Sequence, residues 1–167
     1  DREQDTHNIG WLTLPAELEL ALKHDQLQLY YQPKVDTGSG QLKGVEALLR
    51  WQHPRHGWVN PEDIVELAES SALIAELTGW VIDRALTDCM RWMEQGVHTN
   101  MAINLSPQNL HDPAFVSQVS RQLSRHHIDG EMLTLEITEN AFISDPAQAV
   151  TTIPSVGVQS SPPNTRP

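Results

Sequence analysis

Three residues in this chain have side chains suited to holding a hard metal ion: Glu46, Asn104 and Glu136. Each lies in a short run where apolar and polar residues alternate. In a β-strand, residues i, i+2 and i+4 share a face. Val45, Ala47 and Leu49 therefore oppose Glu46, Leu48 and Arg50. Met101, Ile103 and Leu105 oppose Ala102, Asn104 and Ser106, and Leu133, Leu135 and Ile137 oppose Thr134, Glu136 and Thr138. Buried carboxylates set among aliphatic neighbours need a metal or a cationic partner. Two carboxylates and an amide oxygen form an all-oxygen set that suits Mg²⁺ or Mn²⁺ and suits zinc poorly. A surface strand with one solvated face would alternate in the same way. On residue types alone, Arg50 reads equally as an ion-pair partner of Glu46 or Glu136.

The elements that must position these residues follow from local signals. Residues 1–10 are polar and read as a linker. Pro15 opens a stretch with apolar residues at helical spacing, its missing N–H harmless in a first turn. Leu27 to Asp36 and Gly44 to Trp51 read as strands of a hairpin around the turn-rich Asp36-Thr37-Gly38-Ser39-Gly40. His53 to Asn60 reads as a loop. Pro61-Glu62-Asp63 opens a helix whose acids suit the dipole, and a longer helix runs from about Ile74 to Gln95. On that helix Ile82, Leu86, Cys89 and Met93 share a face, and Gly96 reads as its C-cap. Met101 to Leu105 is expected as a strand, Pro113 to His126 as a helix, Met132 to Ile137 as a strand and Pro146 to Ile153 as a helix. Strand and helix thus alternate from Gly44 onward, which predicts a parallel α/β architecture. In a barrel of this kind the apolar strand faces meet the helices and the polar groups point into the mouth.

The bulk chemistry narrows the partners. A formal net charge of -11 over 167 residues excludes a surface built for duplex DNA or RNA, since little here would displace phosphate counterions. A small phosphate ligand stays open, provided divalent metal supplies positive charge. The apolar share of 39% and charged share of 20% fit a globular chain. The single cysteine, Cys89, rules out an internal disulfide framework, reads as a core residue and fits a reducing cytosol. No signal peptide or bilayer-length apolar run is evident, and the start at Asp1 reads as a segment of something longer. The expectation is a cytoplasmic domain whose parent can still carry a membrane anchor.

Glu46-Ala47-Leu48-Leu49-Arg50-Trp51 resembles the signature of the EAL family. Tyr31-Gln32-Pro33 precedes it, and His53-Pro54-Arg55-His56-Gly57, Pro61, Asn104-Leu105-Ser106-Pro107 and Leu135-Glu136-Ile137-Thr138-Glu139-Asn140 follow in the family's order. The resemblance runs from about Ala16 to Val150. It implies a modified (β/α)8 barrel of TIM type, with about the first four strands present here and the first strands hairpin-like. It also implies hydrolysis of cyclic di-GMP to linear pGpG with two divalent ions, Mg²⁺ or Mn²⁺. Carried over by position, Glu46, Asn104 and Glu136 match metal ligands, with Glu46 and Glu136 catalytic. Gln32, Leu48 and Arg50 match positions lining the nucleotide site, Arg50 meeting a phosphate oxygen with its fork of donors. Glu139 matches a family position near the site. The resemblance further implies a parent fused to sensory or GGDEF-type domains and a homodimer when complete.

A departure accompanies the match. After Glu136 the family carries an Asp-Asp pair, then a Lys and further Glu and Gln positions. At that distance this chain reads Thr165-Arg166-Pro167. Val156-Gly157-Val158-Gln159 still resembles the family, whereas the Ser/Pro-rich stretch after it does not, as a shift of reading frame would produce. The expected organisation is therefore a linker and helix start over 1–15, the N-terminal half of an EAL domain over 16–153, and an aberrant tail without regular structure over 154–167. A site cut before the Asp pair is not expected to hydrolyse on its own. The rival reading is an inactive EAL-type module that senses cyclic di-GMP or docks a protein. Among the remaining residues, His53 and His56 read as an ordinary exposed loop ahead of a metal site. His126-His127 closes a helix, Trp80 and Trp92 pack helices, and Trp51 and Trp58 flank the loop after Glu46, placed to shape the site.

Overall fold

The computed structural model describes residues 2–137 and 158–160 of the chain, with side chains over 13–137. A long helix, α1 (Arg2–Lys23), leads into the hairpin of β1 (Leu27–Val35) and β2 (Leu42–His53). A short strand, β3 (Gly57–Val59), turns back on β2, and α2 (Pro61–Ser70) and α3 (Ile74–Glu94) follow. Then come β4 (Asn100–Leu105), the single turn α4 (Pro107–Leu110), α5 (Phe115–Arg125), a 3₁₀ turn over Gly130–Met132, β5 (Leu133–Ile137) and β6 (Val158–Ser160).

One sheet carries all the strands, in the order β1-β2-β4-β5-β6, with β3 paired to β2. The β1–β2 and β2–β3 pairings are antiparallel, and β2–β4, β4–β5 and β5–β6 are parallel. This is the expected start of a parallel α/β barrel with a hairpin at its first edge. Asp36 makes that hairpin: its Oδ1 accepts from Ser39 N at 2.8 Å, and its carbonyl accepts from Gly40 N at 2.7 Å. Gly40 lies at φ 69°, a region only glycine enters cheaply. At the other sheet junction Gly44 faces Asn100, and a Cβ there would stand 3.0 Å from the Asn100 carbonyl oxygen, so β2 and β4 come close only because the residue is glycine.

The apolar stripes of the helices and one sheet face form a single core. α2 buries Ile64, Leu67 and Ala68, and α3 buries Leu77, Val81, Ile82, Ala85, Leu86 and Cys89. Phe115, Val119 and Leu123 line α5 at four-residue spacing. They meet Val45 and Ala47 of β2, Met101, Ile103 and Leu105 of β4, and Leu133, Leu135 and Ile137 of β5, the residues that alternation assigned to the helix-facing side. Burial pushes the Cys89 thiol pKa up, as a core cysteine requires. Trp92 of α3 packs edge-on to Tyr31 at 4.7 Å, and the Tyr31 hydroxyl donates to Asp88 at 2.7 Å, fixing α3 on β1. Gly96 ends α3 at φ 81°, with Val97 N donating back to Trp92 O at 2.8 Å.

Four local expectations change. The stretch read as a linker over 1–10 is helical from Arg2, with Pro15 inside α1; acids at Glu3 and Asp5 suit a helix start. The loop after His53 contains β3. His53 Nδ1 accepts from the backbone N–H of Arg55 and His56 at 3.1 and 3.2 Å, reversing the chain, and Gly57 at φ 71° completes the turn. Within the stretch expected to lack regular structure, Val158–Ser160 pairs with Leu135–Ile137 as a strand. Ser106 caps the unanticipated turn α4, accepting from Gln108 N at 3.1 Å ahead of Pro107. The helix expected over Pro146 to Ile153 lies outside the described residues. Among those described, no helix is long and apolar enough to cross a membrane.

Candidate functional site

Register decides what shares the face turned away from the helices. Gln32 pairs with Glu46, Glu46 with Ala102, and Asn104 with Glu136, so Gln32, Glu46, Asn104 and Glu136 stand on one face of four neighbouring strands. The three oxygen-bearing side chains picked out by sequence do converge. Asn104 Nδ2 donates to Glu46 Oε1 at 2.8 Å. Glu46 and Glu136 are bridged by a cation absent from the sequence reading, the ammonium of Lys34. Its Nζ pairs closely with Glu136 Oε1 and lies 3.5 Å from Glu46 Oε2.

Neither carboxylate is fully buried; their side chains are 22% and 15% exposed, because this face of the sheet is open. Burial depresses the Lys34 pKa, but the hydrogen bond and charge of Glu136, joined by Glu46, outweigh it and hold the ammonium above its ordinary range. A divalent ion fits this donor set: two carboxylates already share one positive charge, and the Asn104 amide is hydrogen-bonded to one of them. Among the described residues no third carboxylate joins the cluster of Glu46 and Glu136.

Arg50 sits further along the same face. It pairs with neither glutamate. Its guanidinium lies over the Tyr30 ring, 5.5 Å from the centroid, and Nη1 donates to the Leu49 carbonyl at 2.8 Å. No carboxylate among the described residues forms an ion pair with it, so its remaining donors suit an anion. Beyond Ala47 and Ile103, where the β2–β4 pairing ends, a cavity of about 120 Å³ opens, lined by Leu48, Arg50, Asn104 and Ser106 among others. Gln32 is exposed and Leu48 half-buried. Glu139 lies outside the described residues.

The two tryptophans part company. Trp51 is 1% exposed and belongs to the core, as strand alternation after Arg50 requires, so it does not line the site. Trp58 stays exposed on β3, its ring 6.2 Å from Tyr30 in an edge-on arrangement. Tyr30, Trp58 and Arg50 form an aromatic and cationic lip that sequence reasoning did not assemble. Lys34 was missed likewise. Its signal was its place two residues after Gln32 on a strand, which becomes informative only once β1–β2 register is known.

A second cluster, Glu17, His53 and His56, brings three potential metal ligands within 4.8 Å of one another. Its hydrogen bonds argue for structure instead. His53 is 4% exposed, where a loop histidine was expected to be open. With Nδ1 accepting two backbone N–H groups, the proton sits on Nε2, which donates to Glu17 Oε2 at 2.5 Å. His53 has no ring lone pair left for a metal, and the Arg55 guanidinium against Glu17 already supplies positive charge. This network staples the β2–β3 turn to α1. Burial raises the Glu17 pKa, but hydrogen bonds from His53 and Thr13 and the Arg55 charge outweigh it, so the net shift is downward from the ordinary 4.5. A depressed folded-state pKa contributes stability above the unfolded value and loses it as pH falls through the folded value. Glu17→Gln is therefore expected to be less stable than wild type at neutral pH and to converge with it in acid. Urea midpoints from pH 7 down to 3 measure this; a constant difference across that range would contradict it.

A family model described as EAL domain matches residues 16–159. The chain is 40% identical over 135 residues to the bifunctional diguanylate cyclase/cyclic di-GMP phosphodiesterase MucR of Pseudomonas aeruginosa, covering 80% of this chain and 20% of that protein. It is 33% identical over 151 residues to the cyclic di-GMP phosphodiesterase PdeR of Escherichia coli, covering 90% and 23% respectively. It thus spans about a fifth of the length of these curated relatives. The solved structure of the PaMucR phosphodiesterase in complex with c-di-GMP superposes with a TM-score of 0.81 at 36% identity, covering 87% of this chain and 62% of that one. The core strands, their register and the matched residues agree on one conclusion: the chain belongs to the EAL domain family.

Proposed function

We infer that this chain forms the metal- and nucleotide-binding first part of a cyclic di-GMP phosphodiesterase domain. The observation that carries it is the pairing of Glu46 and Glu136 with a single cation, with Asn104 hydrogen-bonded to Glu46 from the strand between them. In this reading those three hold Mg²⁺ or Mn²⁺. Arg50 meets a phosphate oxygen of cyclic di-GMP with guanidinium donors that no carboxylate occupies, while Gln32 and Leu48 line the nucleotide. Divalent metal, when bound, supplies an activated water and positive charge against the phosphodiester on the way to linear pGpG. Glu46 and Glu136 hold the charge that orients this centre, and Glu139 is proposed beside it. The parent protein is proposed to carry sensory or GGDEF-type domains, to be cytoplasmic in this part and to dimerise.

Two-metal hydrolysis in this reading needs the Asp-Asp pair that the family resemblance implies, and no Asp-Asp pair occurs in the 167 residues. The 167-residue chain is therefore proposed to bind without appreciable turnover. The alternative reading, a module that senses cyclic di-GMP or docks a protein without hydrolysis in its parent as well, draws on the same observation. Chromatographic detection of pGpG after incubation with Mg²⁺ or Mn²⁺ tests this. The expected result is no product from the chain alone; steady conversion would overturn the claim that its ligand set is incomplete.

A further inference from the structure

The geometry points to Lys34 as a built-in cation that occupies the metal position of this site and must leave it when divalent metal binds. The inference rests on the reading of Glu46, Asn104 and Glu136 as a metal site and adds a residue and a competition to it. Lys34 Nζ is paired with Glu136 Oε1 and stands 3.5 Å from Glu46 Oε2, while Glu46 Oε1 is held by Asn104 Nδ2. The ammonium therefore sits between the two carboxylates a divalent ion would use, one of them hydrogen-bonded to Asn104. A lysine cannot share that position, since both charges are positive and the same carboxylate oxygens are wanted.

The fold makes the exchange cheap. Lys34 lies at the end of β1, next to the bulge between Lys34 and Val35, and its side chain is 39% exposed, with a flexible stem that can swing toward solvent. While it is in place, one positive charge partly offsets two carboxylates on β2 and β5, the strands either side of β4, and β1, β2 and β5 are tied across the open face. Lys34 is thus a positioning residue for the metal-free site and a competitor of the metal. Releasing a partly exposed ion pair of this kind weakens metal binding by about fivefold.

The test is Mn²⁺ binding to the 167-residue chain, read by the electron paramagnetic resonance signal of free Mn²⁺. Lys34→Met is expected to bind Mn²⁺ about fivefold more tightly than wild type, and Lys34→Arg, which keeps the charge, no more tightly. Adding Glu46→Gln should abolish the binding in every background. Wild type supplies an independent readout. The Lys34 Nζ resonance of the metal-free protein should shift when Mg²⁺ saturates the site, and the metal-free melting temperature of Lys34→Met should fall. Equal Mn²⁺ affinities with binding still lost in Glu46→Gln, or a Lys34 resonance unmoved at saturation, would overturn the competition and leave the metal site standing. Absence of any Glu46-dependent Mn²⁺ binding would overturn the metal site, and the competition with it.

Discussion

Trp51→Ala is expected to destabilise the chain by about 3–5 kcal/mol, a large part of what a domain of this size possesses. The side chain is 1% exposed and is the largest of the fully buried ones. It stands at the point where β1, β2 and β3 meet, its backbone in register with Leu27 and Val59. Its ring lies edge-on to His53 at 4.9 Å, so removing it also loosens the staple between the β2–β3 turn and α1. The cost is almost wholly apolar. The indole Nε1 has no hydrogen-bond partner among the described residues, so Trp51→Phe forfeits no polar contact and should cost far less than Trp51→Ala. Urea unfolding followed by far-ultraviolet circular dichroism separates the two; a loss under about 1 kcal/mol for Trp51→Ala would place this tryptophan outside the core.

The second large effect concerns binding. Arg50→Ala is expected to weaken cyclic di-GMP binding by about ten- to a hundredfold, the range for removing a charge-assisted hydrogen-bond donor. Stability should hardly change, because its contacts here are the Tyr30 ring and the Leu49 carbonyl rather than a buried carboxylate. Arg50→Lys should recover only part of the affinity, since an ammonium lacks the planar fork of donors. Had Arg50 been an ion-pair partner of Glu46 or Glu136, its removal would instead strip charge from those carboxylates and lower the melting temperature. Lys34 holds that position, so the two proposed roles separate experimentally: Lys34 for stability without metal, Arg50 for the anion.

What could be read from the sequence follows from the range of each signal. Strand alternation is local, and it correctly assigned Val45, Ala47, Ile103 and Leu135 to the core and Glu46, Asn104 and Glu136 to the other face. Helix stripes are local too, and α2, α3 and α5 fall within a few residues of their expected spans. The EAL resemblance then suggested the roles proposed for them, which alternation alone left open. Lys34 was not legible because its partner Glu136 lies on a strand that the sheet brings to it across β2 and β4. The shift between Lys34 and Val35 makes that register depend on the turn geometry. β3 was hidden by its length and by a turn that His53 makes with a side-chain nitrogen, which composition does not reveal. Trp51 and Trp58 looked alike in sequence, yet β2 sends one inward while β3 holds the other at the lip.

Calorimetric titration of cyclic di-GMP into the 167-residue chain, with Mg²⁺ and then with the metal chelated, asks whether this face binds the nucleotide through metal and Arg50 together. A single saturable site that weakens when metal is removed, and weakens again in Arg50→Ala, is the predicted result. Absence of binding in Mg²⁺, or binding indifferent to both metal and Arg50, would contradict it.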